Sequence, residues 1–112
     1  MEIYEISSYA LDFLMEGSKL RKTNPKMAAK YFSISWAFNA MQEYDEGMRI
    51  CDMTLERLGI PHNKLSNYHE YGFKVITKVL DNVKKINQIL SHGRQSNKET
   101  TSLNTLIDSA YS

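Results

Sequence analysis

The sequence predicts an all-α fold: antiparallel helical hairpins forming a bundle of about four helices. Apolar residues recur at intervals of three and four along nearly the whole chain, the spacing that gathers side chains on one face of a helix. The only two prolines, Pro25 and Pro61, both stand at boundaries between such runs. Between Tyr31 and Leu55 large and small side chains alternate: Ser35 leaves a gap beside Ile34 and Phe38, and Gly47, Cys51 and Thr54 place three small residues on one stripe of the next helix. A small contact stripe admits a neighbour's ridge at short range, so these two helices are expected to lie close together.

The first helix is expected from about Glu2 to about Leu20, with Ile3, Ile6, Ala10, Leu14 and Gly17 at helical intervals and Leu11, Phe13 and Leu20 widening the apolar arc. Gly17-Ser18 weakens its last turn, where Lys19, Arg21 and Lys22 suit the negative end of the helix dipole. Asn24 before Pro25 reads as an N-cap followed by proline at the first helical position, where a missing N–H costs nothing. The second helix should then run to about Met41. Gln42 to Tyr44 form a turn, Asp45 and Glu46 favour a new N-terminus, and the third helix should reach about Leu58 before Gly59 ends it and Pro61 blocks continuation. Asn63 is a plausible cap for a fourth helix with the stripe Tyr68, Gly72, Val75, Val79, Val83, Ile86 and Leu90; no breaker interrupts it, so a single long rod is expected. Residues 1–92 are read as the helical domain. Residues 93–112 are read as a polar, mobile tail in which Leu103, Leu106, Ile107 and Ala110 make a short amphipathic segment.

Composition bounds the function. With 112 residues, 42% of them hydrophobic, the chain suits one domain that buries roughly 65% of its unfolded surface. Fourteen basic and thirteen acidic side chains leave a formal net charge of +1, so no global preference for polyanions is written in the charge balance. The single cysteine, Cys51, cannot form an internal disulfide, and the first residues are acidic where a secretory signal is basic, which predicts a reducing, cytoplasmic setting. No apolar run approaches the ~18 residues of a membrane span.

Tyr31-x2-Ile34-Ser35-x2-Phe38 followed by Tyr44-x2-Gly47-x3-Cys51-x2-Thr54-Leu55 resembles a tetratricopeptide repeat. The aromatic-small spacing returns as Tyr68-x2-Tyr71-Gly72-x2-Val75, thirty-seven residues after Tyr31, against a family period of about 34. The resemblance gives one full repeat, from about Ala28 to Pro61, with a flanking helix on each side. Tyr31 stands where tryptophan is commoner, glycine and cysteine where alanine and a larger aromatic are usual, and Pro61 comes two residues late. By the resemblance, ligands lie in a groove lined by the first helix of each pair, which implies a protein-binding adaptor, scaffold or chaperone-like module without a cofactor. The residues on that face are Phe32, Trp36 and Asn39, with His69, Phe73 and Ile76 on the fourth helix. The rings would anchor a partner peptide or helix, and Asn39 and His69 would read polar groups. The carboxylate-binding mode of the family is not implied, because Ser33 stands where its first asparagine belongs. The first helix, the Leu103 to Ala110 segment or a second copy of the chain would be alternative covers for Trp36 and Phe73.

Two other functions compete with this reading. Lys74, Lys78, Lys84 and Lys85 would line one edge of the fourth helix and meet nucleic-acid phosphates; the tyrosines that can be placed sit in the packing register, away from these lysines, which argues against a stacking surface. Arg57-x4-His62 has the spacing of a family of small helical ribonucleases, in which histidine moves a proton while arginine stabilises charge, but Gly59 and Pro61 interrupt it here. Cys51 has no activating cation nearby in sequence and reads as a packing residue. His62, His69 and His92 make no metal-ligand spacing with it.

Overall fold

The structure is a computed structural model that describes residues 3–79 and 82–94. It contains α1 (Ile3–Leu20), α2 (Pro25–Met41), α3 (Asp45–Arg57), α4 (Leu65–Val79) and α5 (Val83–Arg94), with one 3₁₀ turn at His62–Lys64. No strand occurs among the described residues, so the fold is all-α. The expected boundary at residue 92 falls within the last turn of α5; residues 95–112, with the amphipathic segment Leu103 to Ala110, lie outside the described residues.

The centre of the fold is α2. From Met27 to Asn39 every residue except Lys30 is buried, because α1, α3 and α4 all pack against it. A helix apolar or small all round can be enclosed in this way. α1 lies antiparallel to it: Phe13 meets Tyr31 edge-on at 5.4 Å between ring centroids and stacks on Phe38 at 5.9 Å, and a Cβ at Gly17 would stand 2.8 Å from the Phe32 ring. α3 is also antiparallel, with Gly47 against Asn39 and Cys51 against Ser35. α4 runs parallel to α2, with Gly72 pressed onto the Ser33 carbonyl and close to Ala37. α5 closes the bundle against α1 and α4, and its Ile89 carbonyl accepts a hydrogen bond from Tyr31 Oη at 2.9 Å.

The ends of the helices follow local chemistry. Asn24 Oδ1 accepts from the Met27 N–H at 3.2 Å and Pro25 occupies the first turn. α2 and α3 each end in a Schellman arrangement. Glu43 (φ 54°) is the left-handed residue in the first, where Tyr44 N–H donates to the Asn39 carbonyl. Gly59 (φ 95°) takes that place in the second, where Ile60 N–H donates to the Leu55 carbonyl. The single long rod expected after Asn63 is corrected. Asn82 Oδ1 caps a new helix by accepting from the Lys85 N–H at 3.1 Å, which divides the stripe between α4 and α5. Leu65, not Asn63, opens α4, because residues 62–64 form the 3₁₀ turn.

The close approach of α2 and α3 is present and carries a buried polar chain. Asn39 Nδ2 donates to Cys51 Sγ (3.7 Å), the thiol donates to Ser35 Oγ (3.3 Å), and Ser35 Oγ donates to the Ala10 carbonyl (2.6 Å). Three helices are thereby joined through side chains small enough to let their backbones approach.

Candidate functional site

The residues expected to form a binding face separate into two groups. Trp36, His69 and Phe73 do meet, between α3 and α4. The imidazole of His69 lies flat on the indole, with centroids 3.7 Å apart and planes 3° from parallel, and Phe73 meets the indole edge-on at 5.5 Å. Asp52 of α3 holds His69 through a contact between Oδ1 and Nε2. This stack covers Trp36, which is almost completely buried, and its Nε1–H has no acceptor among the described residues. Phe73 alone of the three is substantially exposed.

Phe32, Asn39 and Ile76 are not on this face, which corrects their assignment to a groove. Phe32 is core, in one cluster with Ala28, Ala29, Leu55 and Leu65. Ile76 is core in the other cluster, with Val75 and Val79. Asn39 lies beneath Gly47, where it donates to the Ser35 carbonyl at 3.1 Å and to Cys51. For Phe32 and Asn39 the physical reason is that α2 is enclosed on three sides, so the face opposite Tyr31, Ile34 and Phe38 is covered too; Ile76 is covered because it lies, with Val75 and Val79, on the face of α4 that packs into the core.

The other sequence candidates are dispersed. Lys74 pairs with Glu70 at 2.9 Å and Lys78 is exposed on α4, whereas Lys84 and Lys85 belong to α5, so no single helix edge carries all four. Exposed His62 turns to Glu56, with Nδ1 3.1 Å from Oε1, and Arg57 lies exposed at the end of α3. Cys51 is a buried free thiol. Burial pushes its pKa up and the Asp52 charge adds to this, while the hydrogen bonds with Ser35 and Asn39 work in the opposite direction. A thiol held protonated in this way packs and does not react. Among the described residues no group of three His, Cys, Asp or Glu side chains could hold a metal ion. None of the described helices is long and apolar enough to cross a membrane.

A second surface was missed by the sequence reading. α1 and α3 both run antiparallel to α2 and therefore parallel to each other, leaving a groove of about 320 Å³ between them. Its floor is Ala10, Leu14 and Gly47, and its walls include Leu11, Tyr44 and Ile50. Leu11 is 56% exposed and Tyr44 51%, and Ile50 is exposed as well. Met15, one turn beyond Leu11, and Met53, one turn beyond Ile50, extend the exposed apolar character along both helices. Ser7 donates to Gln42 Oε1 at one end of the groove, which gives that end a polar closure. The signal in the sequence was the apolar arc of α1, which is wider than contact with α2 alone consumes.

No protein-family model, curated protein or solved structure matches the chain.

Proposed function

We propose that the protein is a non-enzymatic interaction module, and that the groove between α1 and α3 receives an amphipathic helix of a partner protein. The observation that carries this reading is the set of exposed apolar side chains on facing walls, Leu11 on α1 against Ile50 on α3 and Tyr44 at the cap of α3, above a floor of small or half-buried residues, with Met15 and Met53 exposed one turn further along the two helices. Exposed apolar side chains gathered on one surface are characteristic of interaction sites, whereas single ones are ordinary. Two parallel walls suit a third rod laid along them, anchored by residues at i, i+3, i+4 and i+7. The aromatic stack of Trp36, His69 and Phe73 lies on the far side of α3 and holds α4 in place in this reading.

The tetratricopeptide-like description of the α2–α3 hairpin is part of the proposal. It is supported by the close contact of Ser35 and Asn39 with Cys51 and Gly47 and by the parallel course of α2 and α4. The return of α5 to α1 departs from an open stack of repeats. A reducing, cytoplasmic setting belongs to the same reading and is supported by the buried free thiol of Cys51.

The test is selection from a displayed library of helical peptides, followed by affinity measurements with the purified chain. Selected peptides should share apolar residues at helical spacing and lose at least tenfold in affinity for a Leu11→Glu/Ile50→Glu variant whose circular dichroism is unchanged. Retained affinity would refute the groove. Sedimentation of the wild type alone discriminates further: concentration-dependent dimers abolished by the same substitutions would make a second copy of the chain the occupant.

A further inference from the structure

We infer that a second groove, between the first turns of α2 and α4, binds single-stranded nucleic acid. The groove has a volume of about 360 Å³ and is lined by Lys26, Lys30, Lys64, Asn67, Tyr68 and Tyr71, with Ala29 at its base. No carboxylate is among these lining residues. The acid nearest in sequence, Glu70, is engaged by Lys74.

Cations and aromatic rings are what a single strand requires: ammonium groups meet the phosphates, and ring faces accept stacked bases of any sequence. In the sequence Tyr68 and Tyr71 stand apart from the lysines between residues 74 and 98. The fold supplies other lysines to them, two from the start of α2 and one from the 3₁₀ turn. Charge and ring are already in contact across the helices, since Lys30 Nζ lies 5.7 Å from the centroid of the Tyr71 ring. The starts of α2 and α4 add the positive ends of two helix dipoles to the same region.

The shape favours a linear ligand over an isolated anion. A smaller depression of about 170 Å³, lined by Pro25, Leu58 and Ile60, adjoins the first and shares Lys26, Ala29 and Tyr68 with it. Tyr68 and Lys26 thus line both adjoining sites, with Tyr68 half-buried against the cluster of Ala29, Leu55 and Leu65. A strand running along the two depressions places a base on the open part of the Tyr68 ring and a neighbouring phosphate near Lys26. An acidic peptide would use the lysines but would leave the tyrosine faces without a stacking partner.

Fluorescence anisotropy of labelled oligonucleotides tests the assignment, using short deoxythymidine and uridine strands, a duplex of equal length and a polyglutamate peptide. The wild type should bind the single strands at low salt and prefer them to duplex and peptide. Lys26→Ala/Lys64→Ala should weaken strand binding at least tenfold and flatten the log–log salt dependence by about 0.7 per lysine. Lys78→Ala/Lys84→Ala, with the same change in net charge, should leave binding unchanged. Tyr68→Phe should bind as the wild type, and Tyr68→Leu should bind more weakly with an unaltered salt slope. Equal losses in the two lysine pairs, equal affinity for polyglutamate, or no strand binding at low salt would each overturn the inference.

Discussion

Gly72 offers the most direct test of how closely the helices approach. A Cβ built there would fall on the Ser33 carbonyl group, 2.7 Å from its carbon, and 3.2 Å from the Ala37 Cβ. Carbon atoms prefer separations of about 3.5–4.0 Å, so α4 would have to withdraw by about 1 Å from α2. The obstacle is main chain and cannot rotate aside. Overpacking of this kind costs about 1–3 kcal/mol, and a main-chain obstacle places Gly72→Ala near the upper end. Alanine regains about 1 kcal/mol of helix propensity, leaving a net loss of about 2 kcal/mol. For a domain of this size that lowers the melting temperature by roughly 8 °C. Thermal unfolding followed by far-ultraviolet circular dichroism reads the shift directly. Gly47→Ala is the comparison, because there the added methyl meets the Asn39 side-chain amide, which can swing away at the expense of its bonds to Cys51 and Ser35. Gly72→Ala should therefore melt below Gly47→Ala. A Gly72→Ala protein as stable as the wild type would refute the proposed contact.

Glu43 occupies the left-handed position that ends α2, so Glu43→Gly should raise stability by roughly 0.5–1 kcal/mol, read as a higher melting temperature; a decrease would contradict the strain. Because burial raises the Cys51 pKa in the folded state, the unfolded chain loses the thiol proton first, near pH 8.5, and stability should fall as pH rises above that value. Urea unfolding from pH 7 to 10 should show the stability gap between the wild type and Cys51→Ala shrinking across that range. A constant gap would refute the link. Trp36→Ala should cost about 3–5 kcal/mol through loss of the buried stack on His69 and Phe73, measured by urea unfolding; an unchanged midpoint would mean the indole is not core.

Much of this architecture was legible in the chain because local chemistry decides it. Asn24-Pro25 starts α2 through a cap and a proline, and Gly59 ends the α3 helix through a left-handed residue. The stripe of Gly47 and Cys51 forecast the short distance to α2 because backbone approach depends on side-chain volume. The division of α4 from α5 was hidden because Asn82 sits within an apolar repeat that continues in phase on both sides, and only its side-chain bond to Lys85 N–H marks the start of the new helix. The faces of α2 were misjudged for a different reason. Spacing shows which residues share a side of a helix, but not how many neighbours surround it, so Phe32 and Asn39 read as groove residues when Gly17, Leu55 and Leu65 in fact enclose the first and Gly47 and Cys51 cover the second. The two grooves depend on pairings across elements distant in sequence, Leu11 with Ile50 and Lys26 with Tyr68, which no local window contains.

The enclosure of α2 also has a consequence for synthesis. The ribosome makes this segment before α4, which supplies one of its covering walls. Until α4 follows, Trp36 and Ala37 lack part of their eventual shelter. A nascent chain on which α4 has not yet docked therefore carries a sticky, half-dressed rod, and the time α4 takes to leave the ribosome and dock sets how long the newborn chain must avoid its neighbours.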